Sequence, residues 1–135
     1  MAVIEAIQTT YLEADATSVT FDISSSPGNT YEHLQLQIHA KSDRTGSTND
    51  DVALNFNGDT GSNYSHHRMM GSGTAETASA TAGGAYIKVS SIQAVASLSG
   101  ATNYGGVIVD ILDYRNGSKN TTVSGRGSLT EAPIG

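Results

Sequence analysis

Four aspartates stand close together in the sequence, because Asp43, Asp50, Asp51 and Asp59 fall in two loops that flank one short apolar stretch. Oxygen-rich loops are where proteins hold calcium. The spacing does not fit an EF-hand loop, in which side-chain oxygens recur at every second position before a glycine and a final glutamate. We therefore interpret these carboxylates as solvated loop residues. An ion pair between Asp43 and the adjacent Arg44 would instead orient the loop or a neighbouring subunit.

The adjacent histidines His66 and His67 are the other residues that suggest a metal. Neighbouring side chains on an extended chain point to opposite faces, so one ion cannot easily bind both rings. The chain has no cysteine, which excludes thiolate zinc sites, disulfides and thiol nucleophiles. We predict no metal and no cofactor, with one histidine on the surface and the other at a subunit or loop contact.

No arrangement of residues predicts catalysis. The Gly-x-Ser-x-Gly motif of acyl-transfer enzymes does not occur. The glycine-rich stretch 71–73 lacks the Lys-Ser/Thr pair of a phosphate-binding loop. Glu32, Asp110 and Asp113 could supply a carboxylate pair for glycoside cleavage, but nothing in the sequence fixes their separation. We predict a protein that is not an enzyme, with polysaccharide hydrolysis as the enzymatic alternative.

The tyrosines are candidates for binding rather than for chemistry. A tyrosine ring is flat and amphipathic, so it can stack on a sugar or anchor an interface. Of the six tyrosines, Tyr64 and Tyr104 each lie beside loops of small residues. We predict that these two rings are exposed contacts.

The composition is typical of an all-β protein. Serine, threonine and glycine make up 47 of the 135 residues, while charged residues are 15%. A helical protein of this size would be richer in glutamate, lysine, leucine and arginine. We expect an antiparallel β-sandwich or jelly roll of about eight strands with little or no helix. Residues 1–135 are predicted to form a single domain that ends in a short irregular tail over 131–135.

Alternation of apolar and polar residues places the strands. It predicts them over 17–23, 32–41, 52–56, 60–70, 86–98 as one bent strand or two, 107–112 and from Thr121 onward, with a tight turn at Asn57-Gly58 and a hairpin across Asn116-Gly117. The β-branched run 107–112 is expected to be the central and most buried strand. The stretch 71–84 is almost entirely glycine, serine, alanine and threonine and is predicted to be a long surface loop. The predicted core residues are Leu34, Leu36, Ile38, Phe56, Val107, Val109 and Ile111.

Charge and hydropathy exclude two classes of partner. Thirteen acidic against seven basic residues give a net charge of −6, which disfavours binding to nucleic-acid phosphates. No run approaches the roughly 18 apolar residues of a membrane-spanning helix. The N-terminus carries a glutamate and no basic residue in its apolar stretch, unlike a secretory signal. We expect a soluble protein that is made in the cytoplasm.

Three consecutive segments carry a resemblance to a known family. They are Ser42-Asp43-Arg44, the strand with its turn over 51–57, and the run 58–68. They resemble small β-rich structural proteins of tailed bacteriophages, which are often described as tail-fibre or virion proteins. The most specific part is the turn-rich run 57–64, and the similarity in pattern extends from about Tyr11 to Ser124.

The resemblance implies a role on the virion surface. Small jelly-roll proteins of this kind sit as trimers over joints between capsid subunits, or at fibre tips. A lone domain without a heptad or repeat to project a tip favours the capsid. We expect a trimeric capsid decoration, or cement, protein whose partners are the major capsid protein and its own copies. The alternative is a tail-fibre or receptor-binding module that recognises host surface glycan. Candidate interface or ligand contacts are Asp43, Arg44, Asp59, Tyr64, His66, Arg68 and Tyr104.

Overall fold

The computed structural model describes residues 4–72, 74–94 and 103–129, and within these ranges the chain is all-β, with no helix. The described residues form seven strands: β1 Leu34–Ser42, β2 Asn49–Leu54, β3 Tyr64–Ser72, β4 Ala75–Gly84, β5 Ile87–Ala94, β6 Gly105–Leu112 and β7 Thr122–Ser128. The predicted tail and the predicted strand residues beyond Ala94 lie outside the described residues. No helix in the described part is long and apolar enough to cross a membrane.

Five strands form one sheet, in the order β2-β5-β1-β6-β7. β6 pairs antiparallel with β1 on one side and with β7 on the other. Leu36 of β1 lies opposite Val109 of β6, and Val109 lies opposite Gly125 of β7. The prediction that strand 107–112 is central is wrong, because β1 occupies the middle position. β6 is nevertheless deeply buried, since every second residue from Gly105 to Ile111 is buried.

One pairing departs from the predicted antiparallel arrangement. β1 and β5 run parallel, and only Lys41 and Ser42 pair with Gln93 and Ala94. A parallel pair needs a long connection between its strands. Here β2, β3 and β4 lie between β1 and β5 in the sequence and provide that connection.

The core lies where β5 packs across β6 and β7. Val89, Val107, Val109 and Ile111 form its buried centre. All seven predicted core residues belong to this centre or pack against it, as the alternation predicts. Glycines on β7 permit the close approach of β5, because a Cβ on Gly125 would overlap the Val89 backbone and would lie 2.9 Å from the Val89 Cβ.

A two-stranded ribbon of β3 and β4 stands apart from the five-stranded sheet. The prediction that 71–84 is a loop is wrong, because β4 pairs with β3 from Ser72 opposite Ala75 to Tyr64 opposite Gly84. The prediction that it lies on the surface is confirmed, since all but the last residue of β4 are exposed. The small residues of β4 form no apolar face, so the sequence lacks the alternation that predicts a strand. Pairing with β3 determines the structure of this segment.

Residues 4–20 form an arm without helix or strand, with bends at residues 13, 14 and 17, and the arm is exposed everywhere except at Ile7. The strand predicted over 17–23 is therefore wrong for the single chain. Its alternation is present, and Phe21 and Ile23 are half-buried, but Val19 is exposed and no strand pairs with the segment. A turn follows it, in which the Thr30 amide donates to the Pro27 carbonyl at 3.0 Å.

Candidate functional site

Asp51 joins three strands through a cluster of charged hydrogen bonds. It lies on β2 and accepts hydrogen bonds from Arg68 of β3 and from the Lys88 Nζ of β5 at 2.6 Å. The Ser91 hydroxyl donates to the same carboxylate at 3.2 Å. This Asp51 cluster ties the β3–β4 ribbon to the main sheet.

The two cations beside Asp51 favour the ionised form of its carboxylate. Burial acts to raise its pKa, but hydrogen bonds from Lys88 and Arg68 and their positive charges outweigh burial, so the pKa lies below the ordinary 3.8. Two cations share this one carboxylate, which leaves one positive charge uncompensated within the cluster.

His66 lies beside the cluster and is electrically neutral at physiological pH. Burial, followed by the charges of Lys88 and Arg68, lowers its pKa below the ordinary 6.5. Its Nδ1 is buried and has no hydrogen-bond partner among the described residues. Tyr64, His66 and Arg68 are all half-buried while Ser65 and His67 are exposed, so alternate residues of β3 share one face.

A groove of about 1020 Å³ opens between the ribbon and β7, with β5 at its base. Its lining residues come mainly from 65–71 of β3, 87–91 of β5 and 121–129 around β7. They include three cations, Arg68, Lys88 and Arg126, and no carboxylate. Arg68 and Lys88 share the Asp51 carboxylate and Arg126 pairs with Asp110, so the three cations exceed their carboxylate partners by one positive charge. Met70, Ile87 and Val123 add apolar surface.

Two of the predicted contact residues instead organise a turn. The Tyr64 hydroxyl accepts a hydrogen bond from the Phe56 amide at 3.1 Å and donates to the Asp59 carbonyl at 3.2 Å. Tyr64 is half-buried, so the prediction of an exposed ring is wrong. Hydrogen bonds from Asn63 and from the Gly61 amide lower the pKa of Asp59. The tight turn predicted at 57–58 is confirmed by positive φ at both positions.

Asp43 and Arg44 lie in the exposed loop between β1 and β2. Arg44 pairs with Asp50 at 3.2 Å rather than with Asp43. Asp50 also accepts a hydrogen bond from the Ser42 hydroxyl at 2.7 Å. The loop is thus ordered by Asp50, whereas Asp43 faces solvent.

Tyr104 is exposed, as predicted, and forms part of a small aromatic platform. Its ring stacks on His39 with centroids 5.1 Å apart, and the Lys41 Nζ lies 5.4 Å from the Tyr104 centroid. The three residues meet at the end of β1 that is remote from the Asn116 hairpin. This arrangement exposes about half of the Tyr104 surface.

Glu32, His33 and Asp113 bring one potential ligand atom each to within 4.8 Å of one another. The His33 Nδ1 already accepts a hydrogen bond from the Asp113 amide at 3.0 Å, and Lys119 pairs with the Asp113 carboxylate. These contacts explain the cluster as a junction between strand ends. Of the carboxylates considered for glycoside cleavage, Glu32 and Asp113 are thus close, while Asp110 pairs with Arg126. None of the three lines the groove between the ribbon and β7.

The site combines residues that sequence reasoning named with residues that it did not. Arg68 and His66 were predicted as contacts; Lys88 and Ser91 were not, and Asp51 was taken as a solvated loop residue. Lys88 interrupts the apolar positions of β5, which is a weak signal for a buried charge partner. Comparisons of the chain with family models, with curated proteins and with solved structures found no match.

Proposed function

We propose that this chain is a non-enzymatic structural protein that acts as an assembly of several copies, and that its role is capsid decoration of a tailed bacteriophage as a homotrimer. Its partners in this proposal are its own copies and the major capsid protein. The virion location, the trimeric state and the capsid partner are proposed because segments 42–44 and 51–68 resemble phage virion proteins. Self-assembly has separate support in the surface of the chain.

The observation that carries the proposal is the β3–β4 ribbon. A two-stranded hairpin is only marginally stable alone. In the described part of the chain no strand lies beside the second edge of β4, and nine of its ten residues are exposed. A long unpaired edge strand is a template for pairing with another chain. A ribbon of this length is therefore better explained as part of an interface than as a free surface.

The proposal includes the finer description of the fold. An eight-stranded sandwich of jelly-roll type is proposed for the assembled protein, of which the single chain has seven strands in its described part. The packing of β5 across β6 and β7 supports the sandwich, since it places two strand layers around the apolar centre.

Copy number in purified virus particles tests the role. Quantitative mass spectrometry against the major capsid protein is expected to give about one chain per capsid subunit, or one trimer per local three-fold axis. Light scattering of the isolated protein is expected to give three times the mass of 14.0 kDa. A few tens of copies per particle would reject capsid decoration, and absence from particles would reject a virion role altogether.

A glycan-binding module is the second candidate, favoured by the Tyr104 platform. An exposed ring backed by His39 can stack on the apolar face of a sugar, and Lys41 adds a charged donor. Tyr104→Ala is then expected to abolish adsorption to host surface polysaccharide, while Tyr86→Ala, which removes another exposed ring, leaves it unchanged. Equal adsorption of both variants and the unchanged protein would reject this candidate.

A further inference from the structure

We infer that the arm over residues 4–20 of one copy binds as an added strand in the groove between the β3–β4 ribbon and β7 of a second copy. The inference rests on the proposed self-assembly and identifies the surfaces that produce it. It commits to one occupant, the arm of another copy of this chain.

The arm has exposed apolar residues and an alternating sequence, as a β-strand without a partner strand would have. Ile4 and Tyr11 are 95% and 87% exposed, and Leu12 and Val19 are also exposed. Four large apolar side chains are thus exposed within one segment of 17 residues. From Tyr11 to Thr17 the sequence alternates, with Leu12, Ala14 and Ala16 on one side and polar or acidic residues on the other. This period of two is the pattern of a half-buried strand.

The groove offers both an edge and an apolar base to such a strand. β7 is the last strand of the sheet, so one of its edges has no strand beside it in the described part of the chain. An extended segment added to a free edge gains main-chain hydrogen bonds. The seven residues of β7 match the seven of segment 11–17 in length, each spanning about 23 Å.

Charge favours this occupant over a neutral one. The first 40 residues contain five carboxylates and no lysine or arginine, and Glu13 and Asp15 lie within the alternating segment. The groove is lined by three cations, of which Arg126 pairs with Asp110 while Arg68 and Lys88 share Asp51, so one positive charge is left uncompensated. Complementary charge of this kind fixes register and partner choice.

The arm can reach a neighbouring copy. Its 17 residues span up to about 56 Å when extended. Its one side-chain hydrogen bond to the body joins Glu5 to Tyr31, both of which are in contact with solvent. No residue of the arm lines the groove of its own chain. Exchange with a second copy would bury the apolar arm and cover the free edge of β7 in one step.

Charge reversal in the arm is the first test. We expect Glu13→Lys/Asp15→Lys to weaken association by at least about tenfold, because the reversal places like charges together. The matched variant Glu13→Asp/Asp15→Glu keeps the charge and is expected to associate as the unchanged protein does. Light scattering at several concentrations measures the mass, and circular dichroism checks that the sheet is retained, since the arm lies outside the core.

Disulfide trapping locates the contact, because the chain has no cysteine of its own. Thr17→Cys protein is mixed separately with Ser128→Cys protein and with Thr122→Cys protein, allowed to exchange and oxidised. We expect an intermolecular disulfide with one of the two, Ser128→Cys if the arm adds parallel to β7 and Thr122→Cys if it adds antiparallel, because these two ends of β7 lie about 20 Å apart. Thr17→Cys mixed with Ala53→Cys is the control, because Ala53 is an exposed residue of β2 at the opposite edge of the sheet.

The outcomes separate this inference from the proposed function. A single-chain mass for the unchanged protein would reject both. If charge reversal leaves association unchanged and no disulfide forms with β7, arm exchange is rejected and self-assembly still stands. Arm variants that remain assembled but no longer bind capsids would assign the arm to the capsid protein instead of a second copy, which also overturns the inference.

Discussion

Replacing Asp51 by asparagine is the sharpest test of how the β3–β4 ribbon is held. Asparagine keeps the shape of the side chain but removes the charge that Arg68 and Lys88 share. The Asp51, Arg68 and Lys88 side chains are 28%, 24% and 34% exposed. Their exposure is thus intermediate between that of a surface ion pair and that of a buried one. The substitution therefore leaves two partly buried cations without their carboxylate.

The expected magnitude follows from that exposure. A hydrogen bond to a charged group contributes about 1.5 to 3 kcal/mol, whereas an exposed ion pair contributes about 0 to 1 kcal/mol. Two bonds of intermediate exposure give an expected loss of about 2 to 3 kcal/mol in the free energy of unfolding. For a chain of this size that lowers Tm by roughly 6 to 12 °C.

Thermal and urea unfolding at one fixed protein concentration measure the loss. Asp43→Asn is the control, because Asp43 faces solvent in the loop between β1 and β2 and its replacement is expected to change little. Hydrogen exchange adds a local readout, since β3 and β4 should lose protection before β6 does. An Asp51→Asn protein within about 0.5 kcal/mol of the unchanged one would refute the view that this cluster anchors the ribbon.

Three further predictions follow from the contacts. Gly125→Ala is expected to cost about 1 to 3 kcal/mol or more in unfolding free energy, because the new methyl would overlap β5, whereas Gly106→Ala meets nothing within 4 Å and should be nearly neutral in the same denaturation assay. Tyr64→Phe removes the acceptor of a backbone amide and is expected to cost about 1 to 2 kcal/mol by urea titration, with the exposed Tyr11→Phe unchanged. The stabilisation from Asp51 is complete above its ordinary pKa of 3.8 and is lost as pH falls through the lowered folded value, so Tm should fall on acidification and fall less in Asp51→Asn.

The sequence predicts the main sheet well because its strands have one buried face. The alternation of Leu34, Leu36 and Ile38 marks the buried side of β1, and the run from Val107 to Ile111 marks β6. Turn chemistry predicts the positive φ of Asn57 and Gly58, since both residue types tolerate that conformation.

The remaining elements depend on information that local patterns lack. β4 contains only small and polar residues with both faces exposed, so its conformation is fixed by pairing with β3 and leaves no periodic signal. Segment 17–23 has the alternation of a strand but no partner in a single chain. The Asp51 cluster joins residues 17 and 37 positions apart in the sequence, a distance at which spacing says nothing about contact.

The size of the core links these features to assembly. The buried apolar residues in the described part of the chain are few and mostly small: Val89, Ala94, Val107, Val109 and Ile111. Large apolar residues such as Ile4, Tyr11 and Met69 are instead exposed on the arm and the ribbon. A chain that buries this little by itself gains stability when association covers the rest. Folding and association are then coupled, so Tm should rise with protein concentration, and it should lose that dependence when the arm is removed.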